Sequence, residues 1–204
     1  MLKKWIKQYI NTNKQEILKL VSLILIGVII GIGIYIFTGA EVKDLATSSV
    51  KKVLEISKSE SYVKTNIIAN GVRTNLLLIV LIALLSVTLF GKWIIYGLVV
   101  LKGLALSLYS ILLFKVFGFW WGIIAILILV IFVNIIYIPA LIYIVICFLE
   151  VHFNILKIKT ISLQIVNIYK IMFVVIITFL LMFSSIIVEQ IGSSVVLSIY
   201  KQIV

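Results

Sequence analysis

The chain has 204 residues, 64% of them hydrophobic, with a mean hydropathy of +1.32. Soluble domains are about 45–50% apolar, and a 23.0 kDa globule has too much surface to hide the excess, so most of this chain belongs in lipid. The formal charge of +11 rests largely on lysines flanking apolar runs, which points to membrane lipids as the surroundings and not to nucleic acid. One Cys and one His can neither form an internal disulfide nor close a zinc site, so no metal or cofactor is expected.

Residues 1–16 read as a basic interfacial segment. Leu2, Trp5, Ile6, Tyr9 and Ile10 make one apolar stripe among Lys3, Lys4, Lys7 and Lys14, the pattern of a helix lying on an anionic surface. The first span is 17–37. It is too long for the ~7–15-residue core of a signal peptide, so a retained helix is expected. Gly27 and Gly31 in this span form a Gly-x-x-x-Gly pair, which lets helices approach closely.

The polar stretch 39–74 reads as an outward loop. It contains an amphipathic helix over Glu41–Ile56, with Val42, Leu45, Ala46, Val50, Val53 and Leu54 on one face, and a break near Ser57–Ser61. Such a segment has too little core for a soluble domain and should pack on the membrane face or on a partner. Spans at 75–90 and 93–117 follow, joined at Gly91-Lys92, with Trp120 and Trp121 marking the next interface.

The apolar run 119–152 exceeds the ~20 residues that one crossing needs. It contains the only proline, Pro139, so a crossing kinked or broken near Asn134–Pro139 is expected, with two half-crossings, or a hairpin that returns to the same side, as the alternative. Lys157, Lys159 and Lys170 bracket a polar turn. The last span is 168–188, and the tail 189–204 carries Ile191, Val195, Val196 and Ile199 on one stripe.

The whole is read as a single membrane domain over 1–204. Its fold class is all-α, a polytopic helix bundle of about five transmembrane helices. Amphipathic interfacial helices are expected at the N-terminus, in the first outward loop and at the C-terminus. The basic flanks of the short loops place the N-terminus in the cytoplasm and the C-terminus outside it.

Few residues stand out chemically. Lys102 is a charge deep in an apolar run, costing at least ~2.5–3.5 kcal/mol at the bilayer centre. It could pair with Glu150 or Glu189, line a polar cavity, or snorkel to the surface. Asn134 and Pro139 mark either a helix broken for a cavity or partner, or a structural kink. Glu150 and His152 are too few to hold a metal, and Cys147 suits a packing role. The chain has no H-E-x-x-H, G-x-S-x-G or P-loop pattern, and no catalytic residue is assigned.

The order of these features resembles the stage II sporulation protein M family. The resemblance rests on the basic N-terminal segment, one span and the polar loop; on Lys102-Gly103 inside a later span; on Asn134 and Pro139 framing Ile-Ile-Tyr-Ile; and on Ser184-Ser185 and Glu189 before an amphipathic tail. Two features depart from the family pattern. Gly91-Lys92-Trp93 stands where a Gly-x-Pro turn is usual, and the Asn134 run lacks the proline that often precedes it.

The resemblance implies a non-catalytic scaffold at the cell membrane and sporulation septum. It would anchor peptidoglycan hydrolases during forespore engulfment, with stage II sporulation proteins D and P as partners. Lys102, Gly103, Asn134, Pro139 and Glu189 become candidate partner-contact or bundle-locking residues. The competing expectation is a subunit of a small transporter or permease, suggested by Lys102 and the interrupted fourth span.

Overall fold

The computed structural model describes the backbone of residues 10–56, 60–157 and 165–203, and side chains over 10–52, 69–152 and 171–200. The described residues are almost wholly helical, without a strand. The helices are α1 (Lys14–Phe37), α2 (Ala40–Ile56), α3 (Glu60–Ser86), α4 (Gly91–Ile126), a π-helical turn (Leu127–Phe132), α5 (Val133–Lys157) and α6 (Ile165–Ile203). Most of the expected N-terminal interfacial segment and the side chains of the Lys157–Lys170 turn lie outside the described residues.

Among the described residues, four stretches are long and apolar enough to cross a membrane: Lys14–Phe37, Ala69–Ser86, Gly91–His152 and Ile171–Tyr200. The third folds back on itself. Gly118 has φ 73° and ψ −172°, a conformation open essentially to glycine alone. A Cβ on Gly122 would lie 3.0 Å from the Cα of Phe114, whereas residues eight apart along a straight helix are about 12 Å apart. The chain therefore reverses at Gly118 and runs back antiparallel to Gly91–Phe117.

The tightest packing joins α1 to α4, and these helices run parallel. Gly27 faces the carbonyl of Val100, Gly31 faces Leu104 and the hydroxyl of Ser107, and Gly103 faces the carbonyl of Ile24. A side chain at any of the three glycines would collide with backbone or hydroxyl atoms. The backbones can meet only because these residues are small, which is how helices associate in lipid without a hydrophobic driving force. At the start of the seam, Tyr96 donates a hydrogen bond from its hydroxyl to Glu16 Oε2 at 3.0 Å. Lys19 bonds Glu16 Oε1 at 3.2 Å, and the ammonium groups of Lys19 and Lys92 each lie 5.7 Å from the Tyr96 ring centroid.

Two apolar clusters fill the interior. The larger joins Leu20 and Ile24 of α1, Ile79 and Ile82 of α3, Ile95 and Val99 of α4, Ile144 and Val145 of α5, and Met182 of α6. The smaller lies by the reversal, where Leu113, Phe117, Ala125 and Leu129 meet Val196 and Tyr200. At the opposite end, His152 donates from Nδ1 to the carbonyl of Ser86 at 2.9 Å, tying the end of α3 to α5.

Three expectations are corrected. The helix expected from residue 75 begins at Glu60, so helical backbone already occupies the later part of the stretch read as the loop 39–74. The turn follows at Val87–Phe90, where Gly91 is pressed against the Leu85 carbonyl. The segment 189–204 is not a separate tail within its described residues. It continues α6, and Gly192, Val196 and Tyr200, at i, i+4 and i+8, provide the packing face, while Ile191 and Val195 are exposed. The distortion expected near Asn134–Pro139 lies upstream, in the π turn Leu127–Phe132. Pro139 sits inside α5, which remains helical around it.

If the glycine seam holds α1 against α4, Gly27→Leu and Gly103→Leu should each destabilise the purified protein by about 1–3 kcal/mol. Gly33→Leu, which meets open space, should be near neutral. Unfolding in detergent, followed by circular dichroism, measures the difference, and equal effects at all three positions would contradict the packing described.

Candidate partner-contact cluster at membrane depth

Lys102 lies eleven residues into α4, on the side turned towards α5 and α6. Its ammonium rests over the ring of Tyr137, 4.0 Å from the centroid. That distance is well inside the ~6 Å over which a cation is drawn to an aromatic face, and the attraction is stronger where water is scarce. Glu189 of α6 stands within electrostatic reach of Lys102, and of Tyr109 and Tyr137 as well. Three helices thus place one cation, one carboxylate and two phenols in the same part of the bundle. Lys102 does not extend to the surface as an isolated snorkelling side chain.

The reversal at Gly118 creates this arrangement. Lys102 and Tyr137 are thirty-five residues apart and would be separated by about 50 Å along one continuous helix. Folded back, they touch. Tyr137 then directs its ring towards α4, and Lys102 lines a cleft of about 370 Å³ with Tyr137, Thr74 and the apolar side chains of Leu77, Leu101 and Leu141.

Gly103 is adjacent in sequence but serves a different contact. It is buried against the Ile24 carbonyl in the α1 seam. Lys102 and Gly103 therefore form a unit with two faces. The glycine seats α4 on α1, and that docking helps orient the lysine towards α5 and α6.

Asn134 and Pro139 face a second space. With Ser107, Ser110, Ile24 and Ile138, they line a groove of about 660 Å³ between α1 and the folded-back segment. Asn134 donates from Nδ2 to the carbonyl of Val130 at 2.7 Å. The same carbonyl also accepts the backbone N–H of Val133, so the Asn134 side chain adds a second donor at the end of the π turn. Its Oδ1 is buried without a hydrogen-bond partner, and the hydroxyl of Thr178 is likewise unpaired. Among the described residues, no group of three or more metal-ligating side chains occurs.

The five candidate residues are thus distributed over three neighbouring places. Lys102 and Glu189 share the charged cluster, Gly103 belongs to the α1 seam, and Asn134 and Pro139 border the groove. Sequence reasoning missed Tyr137 and Tyr109, because an aromatic residue in an apolar run carries no distinguishing signal. It also missed Ser107, although the Gly103-x-x-x-Ser107 spacing repeats the small-residue pattern of Gly27 and Gly31. No family model matches the chain, and no curated protein or solved structure matches it either.

The contact of Lys102 with Tyr137 should register as an energetic coupling. In a double-mutant cycle of Lys102→Met and Tyr137→Leu, the expected interaction energy is about 1–2 kcal/mol. Additive effects on unfolding would show that the stacked geometry contributes nothing.

Proposed function

We propose that this chain is a membrane scaffold of the stage II sporulation protein M type, with five crossings, a cytoplasmic N-terminus and an extracytoplasmic C-terminus. On this reading it performs no chemistry. It anchors septal peptidoglycan hydrolases, with stage II sporulation proteins D and P as partners, during forespore engulfment.

The supporting observation is convergence. The segments that carry the resemblance are far apart in sequence, yet Lys102 of the Lys-Gly pair meets Tyr137 inside the Asn134–Pro139 run, and Glu189 of the last segment lies within electrostatic reach of both. Motifs that specify one interior junction are those a bundle must preserve to present its outer faces in register.

The crossing count follows from dividing the Gly91–His152 stretch at Gly118 and adding its two arms to the other three spans. An odd count places the termini on opposite sides. Helix α2 then lies after the first span, on the outward side, with Val42 and Leu45 exposed as a face for the membrane surface or a hydrolase partner. The transporter reading draws on the cleft beside Lys102 and the groove beside Asn134, which could carry a solute.

Deletion of the gene in its source organism, followed by membrane-dye imaging of sporulating cells, tests the scaffold reading. Arrest during engulfment, rescued by the intact gene, is expected. Normal engulfment and normal spore yield would overturn the reading, and solute flux in liposomes carrying the purified protein would favour the transporter.

A further inference from the structure

We propose that the cleft beside Lys102 receives a carboxylate side chain from a membrane-spanning helix of a partner protein. The first observation is the state of the lysine. Its ammonium has three donors, yet it rests on an aromatic face, and among the described residues the ion pair within 4.0 Å is that of Lys19 with Glu16, not one of Lys102. Glu189 acts on it only from further away. A cation in hydrocarbon is stabilised far better by a hydrogen-bonded anion than by a ring alone.

The second observation is shape. The cleft is walled by apolar side chains of α3 and α4, with Leu77, Leu81 and Leu101 exposed on its lining. Tyr137 and Leu141 of α5 complete the lining, and the exposed leucines form an apolar rim that a further helix would cover. Its volume of about 370 Å³ accommodates a few side chains and not a whole helix. The partner would lie across the opening and insert an Asp or Glu.

Depth separates a helix from a lipid. Lys102 is nine residues beyond Trp93, about 14 Å along the helix, and half of the ~30 Å hydrocarbon core is about 15 Å. Trp93 is exposed and marks the interface level. A lipid anion in its normal leaflet keeps its headgroup near that level, whereas a spanning helix can place an acid at mid-depth. Charge complementarity at this depth therefore favours a helix.

This inference shares with the scaffold reading only the requirement for a partner helix. Normal engulfment in a deletion strain would leave it standing, and its own failure would leave a sporulation role untouched. The test uses the full-length protein in phosphatidylcholine vesicles, labelled at Leu77→Cys in a Cys147→Ala background. The probe is a synthetic Leu/Ala helix of about 22 residues with one central Glu, compared with its central-Gln twin by energy transfer at slightly alkaline pH.

The Glu peptide should associate at least about tenfold more tightly than the Gln peptide, and Lys102→Arg should keep the preference. Lys102→Met, which removes a charge from an apolar cleft and should fold readily, should abolish it. Equal binding of the two peptides, or a preference that survives Lys102→Met, would overturn the proposal. So would quenching of the Leu77→Cys label by a brominated fatty acid in place of the peptide, which would make the ligand a fatty acid.

Discussion

Helices already in lipid gain nothing from burying more apolar surface, because the tails of the bilayer are as apolar as leucine. Close packing must bring them together, and in this chain it does so where α1 meets α4. Gly27 and Gly31 on one helix and Gly103 and Ser107 on the other leave room for backbone to lie against backbone. Much else follows from that contact. It sets the two helices parallel, brings Tyr96 to Glu16 at one end, and fixes the rotation of α4 about its own axis. With that rotation fixed, Lys102 is directed away from α1.

The reversal at Gly118 converts a local orientation into a site. An apolar stretch from Gly91 to His152 could in principle be one very long helix, and nothing in its composition forbids that. A single residue in a conformation reserved for glycine folds it into two antiparallel arms, and Phe117, with Tyr200 of α6 edge-on at 5.6 Å between centroids, packs beside the bend. The π turn then interrupts the returning arm, with Asn134 adding a side-chain donor to the Val130 carbonyl beside the Val133 backbone N–H. The result is a junction of Lys102 stacked on Tyr137, with Glu189 within electrostatic reach and the more exposed Tyr109 at its edge.

The sequence displays the elements of this bundle better than their contacts. Apolar runs, basic flanks and the amphipathic stripe of α2 are one-dimensional patterns, so α1 and α2 lie close to their expected bounds. The Gly27/Gly31 pair was visible, but its partner surface was not, because Gly103 and Ser107 acquire meaning only once α4 is laid beside α1. The start of α3 was obscured by Glu60, Lys64 and Arg73, polar residues that helices tolerate beyond the hydrocarbon. Continuity of α6 past Glu189 was hidden because Ile191 and Val195 suggested a separate stripe, when Gly192, Val196 and Tyr200 provide the packing face. Lys102 could be singled out as costly, and the boundary between the runs ending at 117 and starting at 119, beside Trp120 and Trp121, falls at Gly118, but the stacking of Lys102 on Tyr137 depends on how the two arms fold together, which no list of residues announces.

The reversal is therefore the claim on which the junction, the crossing count and the cleft all depend. It is tested most directly by a spin-label distance between Leu101→Cys and Ile135→Cys, both exposed positions, in a Cys147→Ala background reconstituted in lipid. Two adjacent antiparallel arms, each about 10–12 Å across, predict a separation below about 25 Å. A distance near 50 Å, as along one unbroken helix, would contradict the account.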